Sequence, residues 1–117
     1  MNLEECCLAV GADYEDIMRR FKNKERIDRF LKMFLEDKSF DMLCSAMAEE
    51  RYEAAFRAVH TMKGICMNLS LMALYHSCVP LTENLRSGSP DGDTQRFFEK
   101  VMEDYRRTDA AVRGYLE

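Results

Sequence analysis

Helical periodicity is the feature that most constrains the fold of this chain. Apolar residues recur at steps of three and four positions along most of its length, as in Phe98, Val101, Met102 and Tyr105. This spacing places apolar side chains on one face of a helix, whereas a half-buried strand needs alternation at every second residue. No segment shows sustained alternation. The pattern therefore predicts an all-α protein.

Turn and capping residues divide the chain into helical segments. Gly11 is a natural stop for the first segment, and Asp13 is a suitable N-cap for the second. The apolar stripe of the third rotates after Asp37-Lys38-Ser39, so we expect a kink or restart there with Ser39 as the cap. Helices are predicted over residues 3–10, from Tyr14 to Phe21, from Lys24 to Met47 with this break, over about 52–69 and from Leu71 to Leu85. A Gly-, Pro- and Ser-rich loop follows at 87–93, and the last helix begins after a cap at Asp93 or Thr94 and continues to Leu116.

Chain length and connection length set the arrangement of these helices. With 117 residues, 47% of them hydrophobic, the chain is long enough to bury one core without disulfides or metals. Short connections make neighbouring helices antiparallel. We expect a single domain over 1–117, with short N-terminal helices in 1–22 and an up-and-down antiparallel four-helix bundle in 24–117.

Charge and composition exclude several classes of function. The net charge of −4 does not suit a protein that coats nucleic acid. No apolar run approaches the roughly 18 residues of a membrane span, and the polar start does not resemble a signal peptide, so we expect a cytoplasmic protein. We also expect it to be a monomer. The five cysteines have no zinc-site or disulfide spacing and are interpreted as reduced thiols.

The helix predicted over 52–69 carries the one stretch in which chemistry and helical geometry coincide. Its apolar residues share one side, while His60, Lys63 and Gly64 fall on the other. A neutral imidazole is a nucleophile at neutral pH, and a cation one turn away stabilises the charge on a phosphoryl group. Gly64 weakens the helix by about 1 kcal/mol relative to alanine, a cost that has a purpose if a partner must approach His60.

The segment His60-Thr61-Met62-Lys63-Gly64, followed by Asn68-Leu69 and by Leu74, Cys78 and Leu81, resembles the His-x-x-Lys-Gly motif of histidine-containing phosphotransfer (Hpt) domains. The resemblance extends over about residues 52–86. Two positions depart from it: Ser70 replaces a common glycine, and Met67 replaces a commonly small residue. These changes suggest adaptation to a particular partner.

The resemblance implies a phosphorelay role. His60 would accept and donate a phosphoryl group, Lys63 would stabilise it, and Gly64 would give access to the partner. That partner would be the receiver domain of a response regulator or hybrid histidine kinase, and the metal ion of the reaction would belong to the receiver. The protein would be a carrier rather than an enzyme, with no cofactor and no metal of its own. We also expect no ATP site, because the chain has no glycine-rich phosphate loop.

Residues around the motif are candidates for partner binding. On the face of His60 we expect Phe56 and Met67 to supply apolar contact area. Thr61 and Asn68 lie to one side within reach of a phosphate or a partner main chain, and Arg57 would add positive potential.

Other interpretations carry less weight. A helical adaptor that binds a receiver or kinase without accepting phosphate is the main alternative. A hydrolase using His60 lacks a carboxylate or serine at helical spacing. A metal site built from His60, His76, Cys66 and Cys78 would need side chains on opposite helix faces to converge. His76 has no reactive neighbours and is interpreted as a structural or surface residue.

Overall fold

The computed structural model describes residues 1–117 and contains helices and connecting turns without strands. The all-α prediction is confirmed. The seven helices are α1 (Leu3–Val10), α2 (Tyr14–Phe21), α3 (Lys24–Glu36), α4 (Ser39–Ala48), α5 (Tyr52–Leu69), α6 (Met72–Leu85) and α7 (Thr94–Leu116).

The two short N-terminal helices have strong local stop and start signals. Asn2 and Glu5 form a capping box at the start of α1, and Asp13 accepts a hydrogen bond from the first turn of α2, as predicted. Gly11 ends α1 in the left-handed region at φ 77°, where its backbone lies so close to α6 that a Cβ would meet the Ala73 nitrogen at 3.1 Å. Glycine is therefore required there by both conformation and space.

The predicted break between α3 and α4 is present, but the predicted cap is wrong. Ser39 is the first residue of α4 rather than its cap, and Lys38 in the cap position makes no side-chain hydrogen bond. The carboxylate of Asp37 accepts a hydrogen bond from the Ser39 N–H at 2.8 Å. Because α3 already ends at Glu36, Asp37 is free to satisfy this amide, and the Ser39 side chain is buried instead.

Helices α4 to α7 form an antiparallel bundle in which each packs against the next along the chain. Helix α3 packs against α5 and α7, while α1 covers α7 and part of α6. Buried apolar residues from all seven helices join in one core cluster of 25 residues. No helix is both long enough and apolar enough to cross a lipid bilayer.

A buried polar contact ties α6 to α7. The hydroxyl of Ser77 donates a hydrogen bond to the carboxylate of Asp104, and the Lys100 ammonium lies 3.4 Å from the same carboxylate. Both Ser77 and Asp104 are buried away from water, so each group needs a hydrogen-bond partner inside the protein, and this contact supplies it. It helps to fix the rotation of α6, and hence which α6 side chains face α5.

Candidate functional site

Helix α5 supplies the platform of the site. It runs over the predicted range, and Ser70 ends it as predicted. One side is buried in the core through Ala55, Ala58, Val59, Met62, Cys66 and Leu69. Burial of that stripe fixes the rotation of the helix, so the opposite side must face solvent.

His60 lies on the solvent side of α5 and is exposed. Its imidazole packs against the ring of Phe56, one turn earlier, in an edge-to-face arrangement with 5.8 Å between ring centroids. Phe56 is itself half-buried against the core. The histidine is therefore accessible to a partner while one of its flanks is supported by an anchored aromatic ring.

Lys63 and Gly64 complete this face of the helix. Lys63 is half-buried one turn after His60, and Gly64 is exposed. A Cβ built on Gly64 would have no atom of another element within 4 Å, so close packing inside the protein does not explain the glycine. The result is a patch of bare backbone beside the imidazole.

Arg57 and Thr61 are partly committed within α5. The Arg57 guanidinium pairs with Glu53 at 2.8 Å, so a neighbouring carboxylate offsets part of its charge. The Thr61 hydroxyl donates to the Arg57 carbonyl at 3.0 Å, which leaves its oxygen lone pairs as the groups available to a partner.

Met67 and Asn68 extend the same face towards the end of α5. Met67 is 53% exposed, which is unusual for a large apolar side chain. Asn68 is also exposed, and its backbone carbonyl accepts a hydrogen bond from Arg20 of α2. That contact links an N-terminal helix to the end of the helix that bears His60.

Arg86, which directly follows α6, also reaches this site, and Glu83 of α6 is its partner; sequence reasoning assigned neither residue to the site. Arg86 makes a bidentate ion pair with Glu83, with N···O distances of 2.9 and 3.2 Å. The guanidinium carbon of Arg86 lies 5.3 Å from the centroid of the Phe56 ring. This ion pair lowers the pKa of Glu83, and the positive charge of Lys63 lowers it further. The three-residue spacing of Glu83 and Arg86 predicts their pairing, but not their approach to α5.

The cysteines offer no second reactive centre. All five are free, and Cys6, Cys7, Cys66 and Cys78 are buried. A hydrogen bond with Cys78 and burial in the core raise the pKa of the Cys66 thiol. This thiol is therefore neutral and a poor nucleophile. The structure gathers no group of three or more His, Cys, Asp or Glu side chains suited to hold a metal ion.

A comparison with known protein families identifies the family to which this chain belongs. The family model of the Hpt domain matches residues 29–112, which is most of the chain. The chain belongs to the Hpt domain family. No curated protein and no solved structure matches it significantly. Hpt domains carry phosphoryl groups in two-component signalling and interact with receiver domains.

The matched range contains α4 to α6, nearly all of α7 and most of α3, and therefore the whole His60 face; α1 and α2 precede it. Ser70, where Hpt domains commonly have glycine, adopts a left-handed conformation with φ 60° and ψ 30°. Glycine reaches this region without strain, whereas serine does not. At this position the backbone of this Hpt domain thus has the left-handed geometry that favours the common glycine, but the residue there is serine.

Proposed function

We propose that this Hpt domain is a phosphorelay intermediate that accepts a phosphoryl group on His60 from a receiver-domain aspartate and returns or forwards it to another. The observation that carries the proposal is the exposed imidazole of His60, with Lys63 one turn away and bare backbone at Gly64. A nucleophile, a cation and an opening for a partner therefore occur on one helix face.

The chemistry follows from these three residues. A lone pair of the His60 imidazole attacks the phosphorus of an aspartyl phosphate. The N–P bond forms as the P–O bond breaks, and the bonding electrons return to the aspartate carboxylate. The ring carries the positive charge until its N–H proton passes to solvent. The reverse transfer breaks the same N–P bond. Negative charge on the three phosphoryl oxygens is stabilised by the Lys63 ammonium.

The neighbouring residues form the docking face. Phe56 and Met67 supply apolar area beside His60, and Gly64 lets a partner backbone come close. Thr61 and Asn68 offer polar groups to that partner, since both are exposed. Arg57 contributes less positive potential than its charge implies, because Glu53 offsets it.

The chain acts in this proposal as a carrier and not as a kinase, since its partner brings the phosphoryl group already activated on aspartate. It would work as a cytoplasmic monomer with all 117 residues in one domain. A receiver domain of a response regulator or hybrid histidine kinase is the partner.

The test is transfer from receiver domains phosphorylated on aspartate with acetyl phosphate. Wild-type protein should take up the label from at least one receiver of a panel, and His60→Gln should take up none. Lys63→Ala should slow transfer by about tenfold or more, by analogy with the loss of one charge-stabilising donor. Lys32→Ala removes an exposed lysine of α3 as the matched control and should leave the rate unchanged.

Receiver binding separates this role from that of an adaptor. In the proposed role, His60→Gln keeps its affinity for the receiver but loses all transfer. If no receiver that binds the wild-type chain transfers label to it, the carrier function is wrong and the adaptor remains.

A further inference from the structure

The Glu83–Arg86 pair is too exposed to be explained by stability. Its side chains are 58% and 52% exposed, and such pairs contribute little to folding. The pair nevertheless has a defined bidentate geometry, in which both carboxylate oxygens of Glu83 accept from the guanidinium. This geometry fixes the direction in which the remaining face of Arg86 points.

That face of Arg86 points towards the His60 site. The guanidinium lies over the Phe56 ring, 5.3 Å from its centroid, and the His60 imidazole also packs against that ring, with 5.8 Å between centroids. Arg86 and His60 therefore share Phe56 as a common neighbour. The positive charge of Lys63 also lowers the pKa of the Glu83 carboxylate.

On the basis of the function proposed above, we propose that Glu83 is a resident anion of the phosphoryl site. In the unphosphorylated protein its carboxylate holds Arg86 and attracts Lys63. When the phosphoryl group arrives on His60, it competes with Glu83 for both cations. Glu83 therefore acts as a positioning residue that limits how strongly the site retains phosphate, and so sets how readily His60 gives it up.

The charge balance gives the direction of the effect. Lys63, Arg86 and Glu83 together carry a charge of about +1, and the arriving group adds up to about −2. Replacing Glu83 by glutamine leaves two cations for the phosphoryl group without an internal competitor. The equilibrium should then move towards phosphorylated His60, and back-transfer to the receiver should slow. Because the cluster is exposed, the effect should be modest and sensitive to salt.

The experiment compares Glu83→Gln with the wild-type chain, using a receiver that phosphorylates the wild type. The measured quantity is the equilibrium ratio of phosphorylated chain to phosphorylated receiver, with the forward and reverse rates. We expect Glu83→Gln to raise this ratio by about threefold to tenfold at low salt, and the increase to shrink at about 0.5 M salt. Arg86→Gln should lower the ratio.

The matched control is Glu103→Gln on α7. It makes the same change in net charge and also removes an exposed ion pair, with Arg107, but it has no contact with a residue of the site. Glu83→Asp keeps the charge and should restore most of the wild-type ratio.

The outcomes are separable. If the wild-type chain takes up phosphate but Glu83→Gln has the same ratio as the wild type or as Glu103→Gln, the role of Glu83 is wrong and the carrier function stands. If Glu83→Gln changes the ratio without salt dependence, a structural effect explains it and the inference fails. If the wild-type chain takes up no phosphate, both proposals fail together.

Discussion

The rings of Phe56 and His60 pack edge to face, with centroids 5.8 Å apart and ring planes inclined by 64°. Both residues belong to α5 and are one turn apart, so the helix backbone itself sets this distance. Phe56 is packed against the core and His60 is exposed, so the contact joins a fixed side chain to a reactive one.

The first prediction concerns this contact. Phe56→Leu keeps an apolar side chain but removes the aromatic ring, and an aromatic pair contributes about 0.5–1.5 kcal/mol beyond its buried area. We expect transfer to His60 to slow by about threefold to tenfold in single-turnover assays. Phe40→Leu is the control, because Phe40 belongs to α4 and stacks on Tyr105 of α7 with centroids 3.8 Å apart, and it makes no ring contact with His60. It should lower the melting temperature and leave transfer unchanged. Equal slowing in both variants would contradict the role of Phe56.

The second prediction concerns the opening at Gly64. Because a Cβ there meets nothing, Gly64→Ala should raise the free energy of unfolding by about 0.5–1 kcal/mol through helix propensity. Gly64→Gln should also fold, but it places a long side chain beside His60 and should reduce transfer at least tenfold. Gly114→Ala in α7, where a Cβ lies 3.9 Å from Met1, provides the comparison: a similar gain in stability without loss of transfer. Undiminished transfer by Gly64→Gln would show that no partner approaches over this residue.

The third prediction concerns the strained end of α5. Ser70 has a left-handed conformation, which costs a residue with a Cβ about 1 kcal/mol. Glycine would relieve this strain, but its greater conformational freedom in the unfolded chain would cancel about half of that gain in stability. Ser70→Gly should therefore stabilise the protein by about 0.5 kcal/mol in chemical denaturation. The same substitution at Ser45, inside α4, should destabilise it by about 0.5–1 kcal/mol. Destabilisation at both sites would rule out the strain.

Local sequence was sufficient to predict the platform of the site. The apolar stripe and the stop at Ser70 place α5 at Tyr52–Leu69, and the same stripe places His60 outward, because both depend only on the periodicity of one helix. The break after Asp37 was predictable for the same reason, although the capping chemistry at Ser39 was not.

The α6 contribution to the site was not predictable from local pattern. The approach of Arg86 to Phe56 depends on how α6 is rotated against α5. That rotation is fixed by packing and by the buried contact of Ser77 with Asp104, residues 27 positions apart. Helical spacing predicts the faces of single helices, whereas contacts between helices depend on the whole bundle.

The fourth prediction concerns alkaline pH. Burial raises the pKa of the Cys6 thiol from 9.0 to about 11, so this thiol stays neutral in the folded protein at a pH where it ionises in the unfolded chain. Its contribution to stability is present below about pH 9 and is lost as the pH rises towards 11, at no more than about 1.4 kcal/mol per pH unit.

Denaturation midpoints between pH 8 and pH 11 measure this loss. Cys6→Ala should show a shallower decline than the wild type. Val10→Ala leaves a comparable gap in the same helix without removing an ionisable group, and it should keep the wild-type slope. A wild-type slope in Cys6→Ala would show that the thiol does not contribute.

The most direct test of the central claim is to locate the phosphoryl group after transfer from a phosphorylated receiver. The chain has two histidines, both exposed, so His76→Gln is the matched control for His60→Gln. Phosphorus NMR and mass spectrometry at neutral pH, where a phosphorus–nitrogen bond survives, should find one phosphoryl group on His60 in the wild type and in His76→Gln, and none in His60→Gln. Label retained by His60→Gln, or lost from His76→Gln, would contradict the account.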